Sequence, residues 1–266
     1  MPEEEEREAL ESLRVTAEKG DPEACFQLGL ALSERGGQDN LTEAIDWYER
    51  AADGGVAEAS FNLGLLYDDP TSPLASGADA LKWFRAAAEA GIPAAQVNVG
   101  HAYSKGEGVT RDHAQAALWF RRAAEAGNMA AQYDLGVAYE RGDGVPADVR
   151  IAAEWYARAA SAGYAPAQNG LGLMYDEGRG VPLDPEEAAR WFELAANQGY
   201  PEAQENLARM YSSGRGVPKD TEKAFQLLAE SKPWERGIPW RRGRLAVASV
   251  IVLFIGVALA AAVFLW

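Results

Sequence analysis

One cysteine and two histidines are all that this chain offers to thiol and imidazole chemistry. Cys25 has no second cysteine to pair with, so an intrachain disulfide and a cysteine-based structural zinc site are both excluded. That count fits a reducing compartment. His101 and His113 are too few for a histidine-rich metal centre, and no metal or cofactor is expected. Basic side chains are scarce as well, since residues 1–231 hold 39 acidic against 20 basic groups. A body of that sign repels phosphate, which argues against a nucleic-acid partner. The opening stretch MPEEEEREAL has neither a basic nor an apolar region, so no secretory signal peptide is expected there.

Long apolar runs are missing too, with one exception. Leu245–Trp266 reads LAVASVIVLFIGVALAAAVFLW, 22 residues without a charge. At about 1.5 Å per residue such a helix reaches about 33 Å, enough for the roughly 30 Å hydrocarbon core of a bilayer. A buried terminal helix would keep one polar face, and this segment has none. Ahead of it, residues 231–244 form a basic linker with Lys232, Arg236, Arg241, Arg242 and Arg244 against Glu235 alone. The positive-inside rule keeps those arginines, and the chain before them, in the cytoplasm. A single-pass, tail-anchored protein is expected, and richness in alanine, arginine and glycine points to a bacterial inner membrane. Trp234 and Trp240 are rings of the kind that settle at a membrane interface. Gly256 and Ala260 form a small-xxx-small pair able to support weak homo-oligomerisation. The predicted anchoring set is therefore Trp234, Trp240, Arg241, Arg242, Arg244, Leu245, Gly256 and Trp266.

What abounds is repetition. Trp47, Trp83, Trp119, Trp155 and Trp191 each follow the last by 36 residues, as do Tyr67, Tyr103, Tyr139, Tyr175 and Tyr211. Gly64, Gly100, Gly136 and Gly172 keep the same step. A period between 20 and 50 residues marks stacked units that bury their apolar faces against one another. Each unit shows two apolar-periodic runs around a glycine turn, which predicts a helix hairpin. In the third unit the first helix, A, is expected over Pro93–Lys105 and the second, B, over His113–Ala126.

The turns read Gly106-Glu-Gly108-Val109, Gly142-Asp-Gly144-Val145, Gly178-Arg-Gly180-Val181 and Gly214-Arg-Gly216-Val217. A phosphate-cradling loop needs a strand before it, whereas here a helix precedes a motif used four times. Positive φ at a helix C-terminus explains the glycines better. Helix B is expected to begin at an N-cap: Asn40, Ser76, Asp112, Asp148, Asp184 and Asp220. Glycine inside helix A costs about 1 kcal/mol relative to alanine, so Gly100 and Gly136 imply a closely crossing neighbour. The alanine pairs of helix B, such as Ala123-Ala124, suit the same approach. The tryptophans and the aromatics after them are read as core.

On A-x-x-x-L-G-x-x-Y, G-x-G-V-x-x-D, A-x-x-W and A-A-x-x-G, recurring from about residue 22 to 230, the chain resembles the Sel-one-like repeat (SLR) family, relatives of the tetratricopeptide repeats. The resemblance implies an all-α, right-handed solenoid of about six hairpins. Residues 1–20 would form an N-terminal capping helix, 21–230 the solenoid and 245–266 the transmembrane helix. The first and second units depart from the pattern in their turns, at Gly36-Gly37 and at DDPTSPLASG. The resemblance also implies a concave wall of A helices used to bind proteins or peptides. Two wall positions vary among the repeats, and the predicted partner contacts come from these and from His101: Phe61, Asn62, Val97, Asn98, His101, Tyr133, Asp134 and Asn169. Amides at repeat spacing could hold an extended backbone and adjacent aromatics could receive its side chains. The competing reading is that the amides are solvated and the aromatics pack between repeats. Some cysteine-rich relatives have been linked to β-lactam hydrolysis, but that branch carries a disulfide per repeat that Cys25 cannot supply. A non-catalytic scaffold is expected.

Overall fold

The computed structural model describes residues 2–72 and 74–231. Thirteen helices account for the regular structure among them. A lone helix α1 (Pro2–Glu18) is followed by six hairpins. Their A helices are α2 (Pro22–Arg35), α4 (Ala57–Asp68), α6 (Pro93–Lys105), α8 (Met129–Arg141), α10 (Ala165–Glu177) and α12 (Pro201–Ser213). Their B helices are α3 (Gln38–Asp53), α5 (Gly77–Glu89), α7 (His113–Glu125), α9 (Val149–Ser161), α11 (Pro185–Asn197) and α13 (Thr221–Ser231). Each A helix packs on its own B helix, and each B helix packs on the next A helix. The core is accordingly a row of clusters rather than one centre.

Local chemistry fixes the hairpin. Gly106, Gly142, Gly178 and Gly214 close their A helices in the left-handed conformation that glycine adopts without strain. Ser76, Asp112, Asp148 and Asp184 then cap the B helices through their side chains, and Asp220 Oδ1 accepts from Lys223 N–H at 2.9 Å. The backbone N–H of each of these caps donates to the carbonyl of Tyr67, Tyr103, Tyr139, Tyr175 or Tyr211 at 2.9 Å. One residue thus starts helix B and ties it back to helix A.

The expected cap at Asn40 is a correction. Helix α3 already begins at Gln38, its N-cap is Gly37 with φ of 90°, and Asn40 Nδ2 donates backward to the Gly36 carbonyl. The shorter Gly36-Gly37 turn, both residues at positive φ, lets the helix start earlier.

Packing follows the period closely. The residue after each tryptophan position (Tyr48, Phe84, Phe120, Tyr156, Phe192) lays its ring on the A-helix glycine of its own hairpin. The tryptophans work between hairpins. Trp83 packs on the core of the first repeat, Trp119 lies in that of the second, and Trp155 and Trp191 pack on those of the third and fourth. Cations stand over the rings of Trp47, Trp83, Trp119 and Trp155, with Arg122 4.5 Å from the Trp119 ring.

No helix among the described residues is long and apolar enough to cross a membrane. Leu245–Trp266, the basic linker and the interface residues Trp234, Trp240, Arg241, Arg242, Arg244 and Gly256 lie outside the described residues.

Candidate functional site

The predicted partner contacts divide by what their side chains already do. Phe61 and Val97 are each 9% exposed. The Phe61 ring lies 5.9 Å from that of Phe84, and both residues belong to core clusters. Their apolar surface is spent on packing between helices. Asn169 is also buried, and its Oδ1 accepts from Asn206 Nδ2 of the next A helix at 2.8 Å. Asn62, Asn98, His101, Tyr133 and Asp134 are half-buried. Asn62 lies beside the Tyr48 hydroxyl, which meets Ser33 Oγ at 3.1 Å. His101 Nε2 on α6 lies 3.2 Å from Asp134 Oδ2 on α8, with its ring edge-on to Phe120 at 5.1 Å. The A-helix wall therefore carries a row of polar side chains, and two pairs, His101–Asp134 and Asn169–Asn206, bridge one A helix to the next.

In the later repeats the wall turns aromatic. Tyr133 lies 5.4 Å from Tyr156 and 5.7 Å from Tyr164, ring to ring. Burial raises the hydroxyls of Tyr133, Tyr164 and Tyr200, and Glu202 helps push Tyr200 up to about 12. These groups stay neutral donors over the physiological range. Beside them Asp134 and Glu202 carry negative charge. Aromatic faces next to carboxylates suit apolar and cationic side chains.

Slots open between successive hairpins, where an A helix, the glycine turn after it and the start of the previous B helix meet. One of about 110 Å³ is lined by Asp68, Phe84, Asn98, His101, Lys105 and Glu107, among others. One period on, a slot of about 100 Å³ is lined by Ser104, His113, Phe120, Asp134, Arg141 and Asp143, with His101 at its edge. Both histidines of the chain thus border one cavity. Ser104 lines the same cavity as both imidazoles. Among the described residues no group of three or more ligating side chains is arranged to hold a metal ion.

Two structural series were not foreseen from sequence. Gln96, Gln132, Gln168 and Gln204 reach from an A helix to the carbonyls of Ala88, Ala124, Ala160 and Ala196, stitching each hairpin to the one before at 3.1–3.5 Å. Their 36-residue spacing was the available signal. The second glycine of each turn is the other series: a β-carbon on Gly144 would stand 2.0 Å from the His113 carbonyl oxygen.

An α-solenoid of capped hairpins, each repeat sealed by its neighbours, defines a repeat scaffold. The chain belongs to the Sel1 repeat family, whose model matches residues 22–56, 57–92, 93–128, 130–164, 165–200 and 201–231. It is similar to c5321, a protective antigen of uropathogenic Escherichia coli strains with an SLR fold, at 38% identity and a TM-score of 0.79. That match covers 86% of this chain but only 49% of the antigen, so the chain spans about half of that relative. It is also similar to a Sel1 repeat protein from Oxalobacter formigenes, at 30% identity and a TM-score of 0.71, covering 85% of this chain and 88% of that one. No curated protein sequence matches the chain. Sel1 repeat proteins generally mediate protein–protein interactions, and the fold is typically non-catalytic.

Proposed function

We propose that the chain is a membrane-anchored cytoplasmic scaffold that gathers protein partners by holding extended segments along its A-helix wall. The observation that carries this reading is the division of labour on that wall. Apolar wall residues such as Phe61 and Val97 are consumed by packing, while Asn62, Asn98 and Asp134 keep part of their surface open at 36-residue spacing, with His101 and Tyr133 half-buried beside them. Such an array offers one hydrogen-bonding group per repeat to a peptide backbone. The anchor rests on the uncharged stretch Leu245–Trp266 and the arginines before it. The protein is expected in a bacterial inner membrane, with its acidic body held off the anionic lipid surface.

The experiment is photo-crosslinking in cells, with the crosslinking amino acid at Asn98 on the wall or at the exposed Glu125 on the outer helix α7. Adducts with other proteins at position 98 and few at 125 support the wall. The reverse pattern moves binding to the outer surface. Deleting residues 245–266 should release the protein from membranes, and pelleting after a high-salt wash would refute the anchor.

A further inference from the structure

The middle residue of the glycine turn changes sign along the chain: Glu107 and Asp143 in the third and fourth repeats, Arg179 and Arg215 in the fifth and sixth. In the later pair the side chain reaches back across the repeat junction. Arg179 Nη1 bonds Glu140 Oε1 at 2.6 Å while its Nε bonds Glu177 at 2.5 Å. Arg215 Nε lies 3.3 Å from Asp176 Oδ1, and its Nη2 bonds the Asp176 carbonyl. Glu140 and Asp176 occupy one position of the A helix, 36 residues apart. The same position earlier in the chain holds Ser104 and Asp68.

At Asp68, then, the acceptor of the later junctions is present, but the turn that faces it brings Glu107 where arginine stands later. What is left is the slot of about 110 Å³, with Asp68, Asn98 and Glu107 on its walls and Leu81 and Phe84 among its apolar lining. We infer that this slot between the second and third repeats receives the guanidinium of an arginine side chain from a partner protein, in the place that Arg179 and Arg215 fill from within the chain.

The later junctions supply the independent observation, because there the same fold position binds a guanidinium in this very molecule. The charge balance agrees. Burial, and then the Glu107 carboxylate, raise the Asp68 carboxyl, so an entering cation relieves a repulsion already present. Lys105 offsets this in part, its Nζ standing 3.6 Å from Glu107 Oε1, and His101 also borders the slot. At about 110 Å³ the slot has room for a planar side-chain head group. A calcium ion is a poor fit, because it takes about six to eight oxygen ligands and two carboxylates with one amide fall short. Arginine is favoured over lysine because its planar fork can meet several acceptors at once. The next slot, with Ser104 at the acceptor position, lacks the first carboxylate and is not included.

An exposed pair of this kind is weak in isolation. The inference therefore rests on the reading of the wall as a peptide-binding surface, with Asn98 shared between wall and slot. The test uses the full chain in lipid nanodiscs and three probes: the N-acetyl amides of arginine, citrulline and lysine. Saturation-transfer NMR should detect the arginine probe, with lysine weaker and neutral citrulline weakest. Asp68→Asn should lower the arginine affinity by roughly tenfold. Glu107→Arg should abolish binding and raise Tm, because it fills the slot from within as Arg179 does. Equal binding of arginine and citrulline, or arginine binding unchanged in Glu107→Arg, overturns the inference. If that happens while alanine at Asn62 and Asp134 still reduces partner retention, the slot alone is wrong. If those alanines also have no effect, the wall reading falls with it.

Discussion

The ring of Phe120 lies so close to the backbone of helix α6 that a β-carbon on Gly100 would stand 2.5 Å from its Cε1. The same relationship joins Gly64 to Phe84, Gly136 to Tyr156 and Gly172 to Phe192. In the sixth repeat the sequence changes at both positions, to Ala208 and Leu228, and Leu228 is exposed. Glycine's cost inside a helix is accepted where an aromatic needs the room.

Gly100→Ala should therefore destabilise, although alanine is the better helix former. Overpacking of about 1–3 kcal/mol is set against about 1 kcal/mol gained in helix propensity. The net loss expected from denaturant unfolding is up to about 2 kcal/mol. Adding Phe120→Leu removes the ring that the new methyl would meet, and the double variant should lose less than the sum of the two singles. Strict additivity would mean that the two residues are not coupled as described.

The turn glycines make a sharper comparison. Gly127 and Gly144 both have positive φ, at 87° and 74°. A β-carbon on Gly127 would meet nothing within 4 Å, whereas one on Gly144 would be driven into the backbone of α7 at His113. Gly127→Ala should cost only the conformational strain, roughly 1–2 kcal/mol. Gly144→Ala should cost distinctly more and loosen the junction between the third and fourth repeats, visible as faster hydrogen exchange there. Equal costs would remove the proposed role of the second glycine.

A pH dependence follows from Glu140. Burial alone raises its carboxyl, but the bonds from the Tyr156 hydroxyl and Arg179 outweigh that and hold it below the ordinary range. A depressed folded value means that the stabilisation is fully present above the unfolded carboxylate pKa and is lost as pH falls through the folded one. In Arg179→Ala the burial effect is less opposed, so the midpoint of acid unfolding should move to higher pH. A shift to lower pH, or none, would show that Arg179 does not stabilise the Glu140 charge.

Much of this architecture was legible because a repeat states its constraints several times. The period placed the hairpins, the capping residues gave the start of helix α7 at His113, and the buried glycines announced a close crossing before its partner ring was known. The turn at Gly36-Gly37 misled because the shorter loop shifts the start of α3 by residues that no other repeat copies. The wall was only half legible. Sequence placed Phe61 and Asn62 side by side but could not show that one packs on Phe84 while the other keeps polar surface open. Nor could it show that Asp68 and Glu107 meet in one slot, since they belong to different repeats and the contact depends on how hairpins stack.

The measurement closest to the central claim is partner retention by a wall variant. Asn62, Asn98 and Asp134 occupy one position on successive A helices and are only half-buried, so replacing all three with alanine should leave the fold intact, as checked by circular dichroism and Tm. Affinity purification from solubilised membranes should then recover markedly less of the proteins that accompany the wild-type chain. An unchanged set of co-purifying proteins, with the variant folded and in the membrane fraction, would contradict the account and place binding away from the A-helix wall.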